Sequence, residues 1–132
     1  MLKIDEYRIL LKRAEGFYKT ALFQLDNALF DLAAFSLEQY LQLFLKAVLL
    51  KNGVDFPRIH GVRSLIRLFI DLKKNQSGKL NSLLDKYEVE LSLLEDAYIT
   101  SRYIPKEFTE NELRRIMKAI EEIVDEIKRI DP

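Results

Sequence analysis

Apolar residues recur at intervals of three and four along almost the whole chain, and this spacing restricts the fold more than any other feature. Segments in which apolar and polar residues alternate, as in a half-buried β-strand, are absent. Glycine and proline, which interrupt helices, number only 4 and 3. The pattern predicts an all-α protein, an antiparallel up-and-down four-helix bundle with an additional short helix. The 132 residues contain no linker or low-complexity tract, so we expect one domain over residues 1–132.

The second predicted helix, from Asp31 to Asn52 with Gly53 after it, is apolar around nearly its whole circumference. Such a helix is buried on most sides, so we expect it at the centre of the bundle and also at a partner surface. The residues that interrupt the apolar surface form a narrow polar strip: Glu38, Gln39, Gln42 and Lys46. This strip is either a solvated stripe or the lining of a polar cleft, because charges on so apolar a helix must be paired or hydrated.

The other helix boundaries are marked by capping residues and breakers. Asp5 is a predicted N-cap of the first helix, and Gly16 inside that helix is expected to mark a close contact between helices. A continuous fourth helix is expected to carry the apolar residues from Leu80 to Tyr98. Thr109 and Glu112 have the spacing of a capping box, which predicts the start of the last helix.

Composition excludes several classes of function. There is no cysteine, which removes disulfides, thiolate zinc sites and thiol nucleophiles. A single histidine removes any site that needs two imidazoles, and we expect no metal and no cofactor. No targeting segment or apolar run of membrane-spanning length is visible, so we expect a cytoplasmic protein without a membrane partner.

Two further groups of residues carry open interpretations. His60 is either a loop or capping residue, or a single acid–base or ligand-contacting group. Arg102 and Tyr103 either close the end of a helix or contact an anion or a nucleobase. Between Arg58 and Lys79 six basic residues stand against one acid, a local charge of +5 that either meets phosphate or is a solvated face.

Two motifs resemble those of the HEPN domain family. The stretch from Phe35 to Leu50 resembles the family's second helix, with its Glu-Gln pair at Glu38 and its Lys-Ala pair at Lys46, followed by Gly53 and His60. The stretch from Tyr98 to Tyr103 is similar to a second family motif, Tyr-x-x-x-Arg-Tyr. The resemblance implies a helical bundle that dimerises, binds nucleotide or RNA and partners a minimal nucleotidyltransferase, in some members as part of a toxin–antitoxin pair. Carried over by position, the binding residues are Glu38, Lys46, His60, Arg102 and Tyr103.

One departure from the family pattern bears on catalysis. Ribonuclease members of the wider superfamily carry an arginine followed, after four to six residues, by a histidine. Residues 53–55, where that arginine would precede His60, are glycine, valine and aspartate, and residues 107–109 after Arg102 contain no histidine. We therefore expect a non-catalytic binding and interaction module. The alternatives are a ribonuclease-type toxin that uses His60 and Arg102, or a purely structural homodimer.

Overall fold

The computed structural model describes residues 3–55, 58 and 61–132, and the side chains of residues 3, 101 and 102 are outside this description. The described residues form six α-helices, one 3₁₀ turn and no strand. The helices are α1 (Lys3–Asp26), α2 (Phe30–Lys51), α3 (Val62–Leu72), α4 (Gly78–Lys86), α5 (Glu88–Tyr103) and α6 (Glu110–Ile130), with the 3₁₀ turn at Lys74–Gln76. The predicted all-α class is confirmed.

Helix α2 lies at the centre of the molecule. It packs against α1 along its length and also contacts α3, α5 and α6. Leu37, Leu41, Leu45 and Leu49, spaced four apart, are each at most 1% exposed. Neighbours within the same chain thus cover most of the apolar circumference, which confirms the central position predicted for this helix.

Contacts at both ends of α2 fix the directions of its neighbours. Near its start, the Ser36 hydroxyl donates to the Gln24 side chain of α1 at 2.7 Å, and the Phe35 and Tyr98 rings stack with centroids 6.4 Å apart. At its end, Lys51 forms an ion pair with Asp131, just after α6, at 3.4 Å. Helices α1 and α5 therefore run antiparallel to α2, and α6 runs parallel to it. This is the up-and-down bundle that the sequence predicts.

The predicted fourth helix is two helices, which is a difference from expectation. The chain turns at Tyr87, whose backbone φ and ψ of −106° and 25° end α4 before α5 begins. No glycine or proline marks this turn. Tyr87 is buried, and its hydroxyl donates to the Glu122 carboxylate of α6. The helix therefore ends at a residue that is packed against a distant part of the chain, and not at a local helix-breaking residue.

Two smaller predictions on α1 are wrong. The helix begins at Lys3, so Asp5 lies in its first turn and is not an N-cap. Gly16 is exposed, and a Cβ atom built there would meet nothing within 4 Å, so no helix contact requires glycine at this position.

Candidate functional site

The polar strip of α2 forms a chain of hydrogen bonds, which we call the polar ladder: Glu38, Gln42 and Lys46. The Gln42 amide donates to the Glu38 carboxylate at 2.9 Å, and the Lys46 ammonium donates to the Gln42 carbonyl oxygen at 3.1 Å. Gln39 donates to the second Glu38 oxygen at 2.8 Å. Spacing of four residues places the three side chains on one face of the helix, so each can reach the next.

The polar ladder is buried, so the interpretation of a solvated stripe is wrong. Glu38 is 1% exposed, Gln42 8% and Lys46 5%. The side chains are paired with one another, as buried charged groups require. The hydrogen bonds among Glu38, Gln42 and Lys46 provide this pairing.

Burial changes the proton affinity of both charged ends of the polar ladder. Desolvation raises the pKa of Glu38 to about 7, although the hydrogen bonds from Gln42 and Gln39 and the charge of Lys46 act in the opposite direction. Desolvation also lowers the pKa of Lys46, against the effect of Glu38. The Glu38 carboxyl therefore exchanges its proton near neutral pH.

A second ionic group lies on α5, across from the polar ladder. Glu95 accepts two hydrogen bonds from the Arg63 guanidinium, at 2.8 and 3.0 Å, and a third from the Arg63 backbone N–H at 3.0 Å. Burial alone would raise the pKa of Glu95, but the bonds from Arg63 outweigh it and hold the pKa below its ordinary value. The negative charge of Glu95 contributes to the raised pKa of Glu38. The start of α3 is thus tied to α5 beside the polar ladder.

The sequence did not predict the pair of Arg63 and Glu95. The two residues are 32 positions apart, and neither lies in a recognisable motif. Gly61 lies against the same carboxylate, since a Cβ atom there would stand 3.5 Å from a Glu95 oxygen. An arginine at the start of an amphipathic helix gives no signal of its partner, so only the fold reveals the contact.

Among the five predicted binding residues, Glu38 and Lys46 lie on α2, and Tyr103 lies at the end of α5, directly after the backbone of Arg102. We call the contact between α2 and α5 the α2–α5 seam. Glu38 on α2 lies near Glu95 on α5. At a rise of about 1.5 Å per residue, Lys46 lies about 12 Å from Glu38 towards the end of α2. Because the helices are antiparallel, Arg102 lies about 10 Å from Glu95 in the opposite direction. The Tyr103 side chain is 72% exposed at the end of α5. His60 lies outside the described residues, as does the side chain of Arg102. The described candidates are therefore spread along the α2–α5 seam and do not meet at one point.

The local charge of +5 between Arg58 and Lys79 is partly neutralised by carboxylates from other parts of the chain. Arg63 is bound to Glu95, and Lys73 lies 3.9 Å from the carboxylate of Asp131. Lys79 and Glu126 border the same small cavity between α4 and α6. These three basic residues thus face carboxylates on α5, on α6 and just after α6, and whether the segment meets phosphate stays a prediction.

Comparison with protein families assigns the fold. The model of the HEPN domain matches residues 7–130. The chain belongs to the HEPN family. A search of curated proteins and one of solved structures each return no match. Membership of the HEPN family supports a role related to nucleotides or RNA in general.

The described part of this HEPN domain also bears on two other features, a membrane-spanning helix and a metal site. None of the described helices is long and apolar enough to cross a membrane. Within the described part of the chain, no three side chains of the metal-ligating types His, Cys, Asp and Glu come together in a group able to hold an ion.

Proposed function

We propose that this HEPN domain is a non-catalytic module that binds a nucleotide or RNA along the α2–α5 seam and acts as a subunit partner of a minimal nucleotidyltransferase. The observation that carries the proposal is the buried polar ladder. Replacing buried ionic groups by apolar residues of similar size is often neutral or stabilising, so stability alone is a weak explanation for such a ladder. A functional role explains why a core rich in leucine contains a carboxyl, an amide and an ammonium group.

Within this proposal the candidate residues have different tasks. Arg102 supplies a planar guanidinium for phosphate, and the exposed Tyr103 ring supplies a surface on which a base stacks. Glu38 and Lys46, being buried, position the α2 side of the α2–α5 seam. His60 contributes from the connection between α2 and α3. The missing arginine–histidine motif favours binding over cleavage.

A nucleotide titration tests the site. We expect ATP to bind to the purified protein and Arg102→Ala to weaken the affinity at least about tenfold, as loss of a charged hydrogen-bond donor to phosphate does. Arg13→Ala is the matched control, since Arg13 is exposed on α1, away from the α2–α5 seam. Equal affinity of the wild type and Arg102→Ala, or no binding by either, contradicts the site assignment.

Co-expression tests the proposed partner. A small nucleotidyltransferase encoded next to this chain is expected to copurify with it through affinity and size-exclusion steps. If the two proteins separate at physiological salt, the partner role in a toxin–antitoxin pair is wrong. The nucleotide titration tests a separate claim and is not affected by this result.

A specific observation also favours a homodimer. Among the described residues twelve large hydrophobic side chains are exposed, and eight of them lie at the end of the bundle where α2 begins and α5 ends. These eight, which we call the apolar end, are Leu22, Phe23, Leu29, Leu32, Tyr98, Ile99, Tyr103 and Ile104. An exposed apolar patch of this kind is typical of an interface. We propose that two copies associate through the apolar end, with the Tyr103 ring left outside the interface because the proposed nucleotide site uses it.

A further inference from the structure

A groove on the opposite side of α2 is separate from the proposed nucleotide site. It lies between α1 and α6 and has a volume of about 350 Å³. Its floor includes Tyr40, which is two residues from Glu38 and two from Gln42. Two residues span about 200° around a helix, so Tyr40 faces away from the polar ladder. Because α1 packs mainly on α2 and has few contacts with α6, the groove between their flanks is open.

Aromatic rings and carboxylates line this groove. The Tyr18 ring of α1 and the Tyr40 ring lie with centroids 4.9 Å apart and planes tilted by 54°. Glu15 stands on the α1 side, and Glu121 and Asp125 stand on the α6 side. Aromatic faces attract organic cations through the ring quadrupole, and neighbouring carboxylates add to this attraction.

Carboxylates of both helices lie close enough to act on the partly buried Tyr40 hydroxyl. Burial raises the pKa of Tyr40 to about 12, and the charges of Asp125, Glu15 and Glu121 act in the same direction. Two lysines, Lys19 and Lys128, also border the groove. Three carboxylates against two ammonium groups leave a formal charge of −1. The Lys128 ammonium also lies 5.9 Å from the centre of the buried Phe44 ring, which does not line the groove.

We propose that the α1–α6 groove is a docking site for a basic segment of a partner protein, which places a lysine or arginine side chain against Tyr18 and Tyr40 and between the carboxylates of the two helices. The volume lies within the range of about 300–1,000 Å³ that binding pockets occupy. Helix-lined grooves receive peptide segments by inserting a few anchoring side chains, and charge complementarity selects which anchors fit. The proposal does not depend on nucleotide binding.

A labelled peptide tests the groove. The probe is an acetylated, amidated peptide of alternating lysine and alanine, followed by fluorescence anisotropy, with the glutamate–alanine peptide as the comparison. We expect the lysine peptide alone to bind, and Asp125→Lys to weaken it at least tenfold. Asp96→Lys changes the net charge equally at an exposed site on α5, outside the groove, and is expected to change the affinity less than threefold. Tyr18→Leu, which keeps every charge, is expected to weaken binding severalfold.

Three results overturn the proposal: no binding of the lysine peptide to the wild type, equal weakening by Asp125→Lys and Asp96→Lys, or unchanged affinity in Tyr18→Leu. The second result would show that the peptide responds only to net charge. Far-UV circular dichroism of each variant confirms that the helices are intact. The ATP titration of Arg102→Ala tests a site on the other side of α2. Either proposal can therefore fail without affecting the test of the other.

Discussion

Glu38 is a carboxyl group with 1% exposure in the interior of a leucine-rich bundle. Three hydrogen bonds, two from Gln42 and one from Gln39, compensate part of its desolvation. The remaining penalty appears as the raised pKa, because the neutral acid is easier to bury than the anion. The side chain is thus a proton acceptor that is connected through Gln42 to the ammonium group of Lys46.

The raised pKa of Glu38 predicts a pH-dependent stability. The folded pKa of about 7 lies above the ordinary value of 4.5, so the folded state holds the proton more tightly than the unfolded state. The stabilisation is complete below the ordinary pKa and is lost as the pH rises through the folded pKa. Glu38→Gln has no carboxyl to titrate, so its stability does not fall in this way. As the pH rises from about 4 to about 8, we expect the unfolding free energy of Glu38→Gln to increase relative to wild type by up to about 3 kcal/mol.

Urea denaturation followed by circular dichroism across this pH range measures the difference. Glu107→Gln is the control, since Glu107 is exposed on the connection before α6. Comparison with wild type at each pH cancels the contributions of the other titrating groups. A difference between Glu38→Gln and wild type that stays constant with pH would show that the Glu38 carboxyl titrates at its ordinary pKa.

At the level of the element, α6 agrees most closely with its sequence pattern. Its apolar residues from Leu113 to Ile130 face the core, and its N-terminus carries the predicted capping box. The Thr109 hydroxyl accepts from the Glu112 backbone N–H at 3.1 Å, and the Glu112 carboxylate accepts from the Thr109 backbone N–H at 2.9 Å. Two backbone donors at the start of the helix are thus satisfied by side chains three residues apart, so this start can be recognised from the local sequence.

Removing the cap has a defined effect on stability. We expect Thr109→Ala to lower the free energy of unfolding by about 1 kcal/mol, because the Glu112 N–H loses its acceptor. Thr109→Ser, which keeps the hydroxyl, is expected to remain within a few tenths of a kcal/mol of wild type. Equilibrium urea unfolding measures both variants. Equal stability of Thr109→Ala and Thr109→Ser would contradict a role for the hydroxyl.

The elements differ in how far the sequence could predict them, and the reason is physical. Caps and apolar stripes are local, so the bounds of α2 and the start of α6 follow from residues a few positions apart. The break at Tyr87 has no local breaker, and Tyr87 contacts Glu122, which is 35 residues away. The site shows the same difference between local and distant contacts. The polar ladder joins residues four apart and could be predicted from the sequence. The bond between Arg63 and Glu95 depends on how α3 lies against α5 and could not.

For the whole molecule, the uneven distribution of exposed apolar side chains predicts a dimer. We expect the protein to sediment as a dimer at micromolar concentration, and Leu32→Glu at the apolar end to make it monomeric, because the interface would then bury a charge. Val89→Glu is the matched control, since Val89 is 67% exposed at the other end of α5. A wild-type monomer, or equal effects of the two substitutions, would contradict the proposed interface.

For the bundle as a whole, we propose binding of a nucleotide or RNA without cleavage. Incubation of the purified protein with a fluorescent single-stranded RNA tests this most directly, with anisotropy and a denaturing gel taken from the same sample. We expect the anisotropy to rise with protein concentration, added salt to weaken the binding, and the RNA to stay at full length. Cleavage that disappears in His60→Ala, or no rise in anisotropy at any protein concentration, would contradict this proposal.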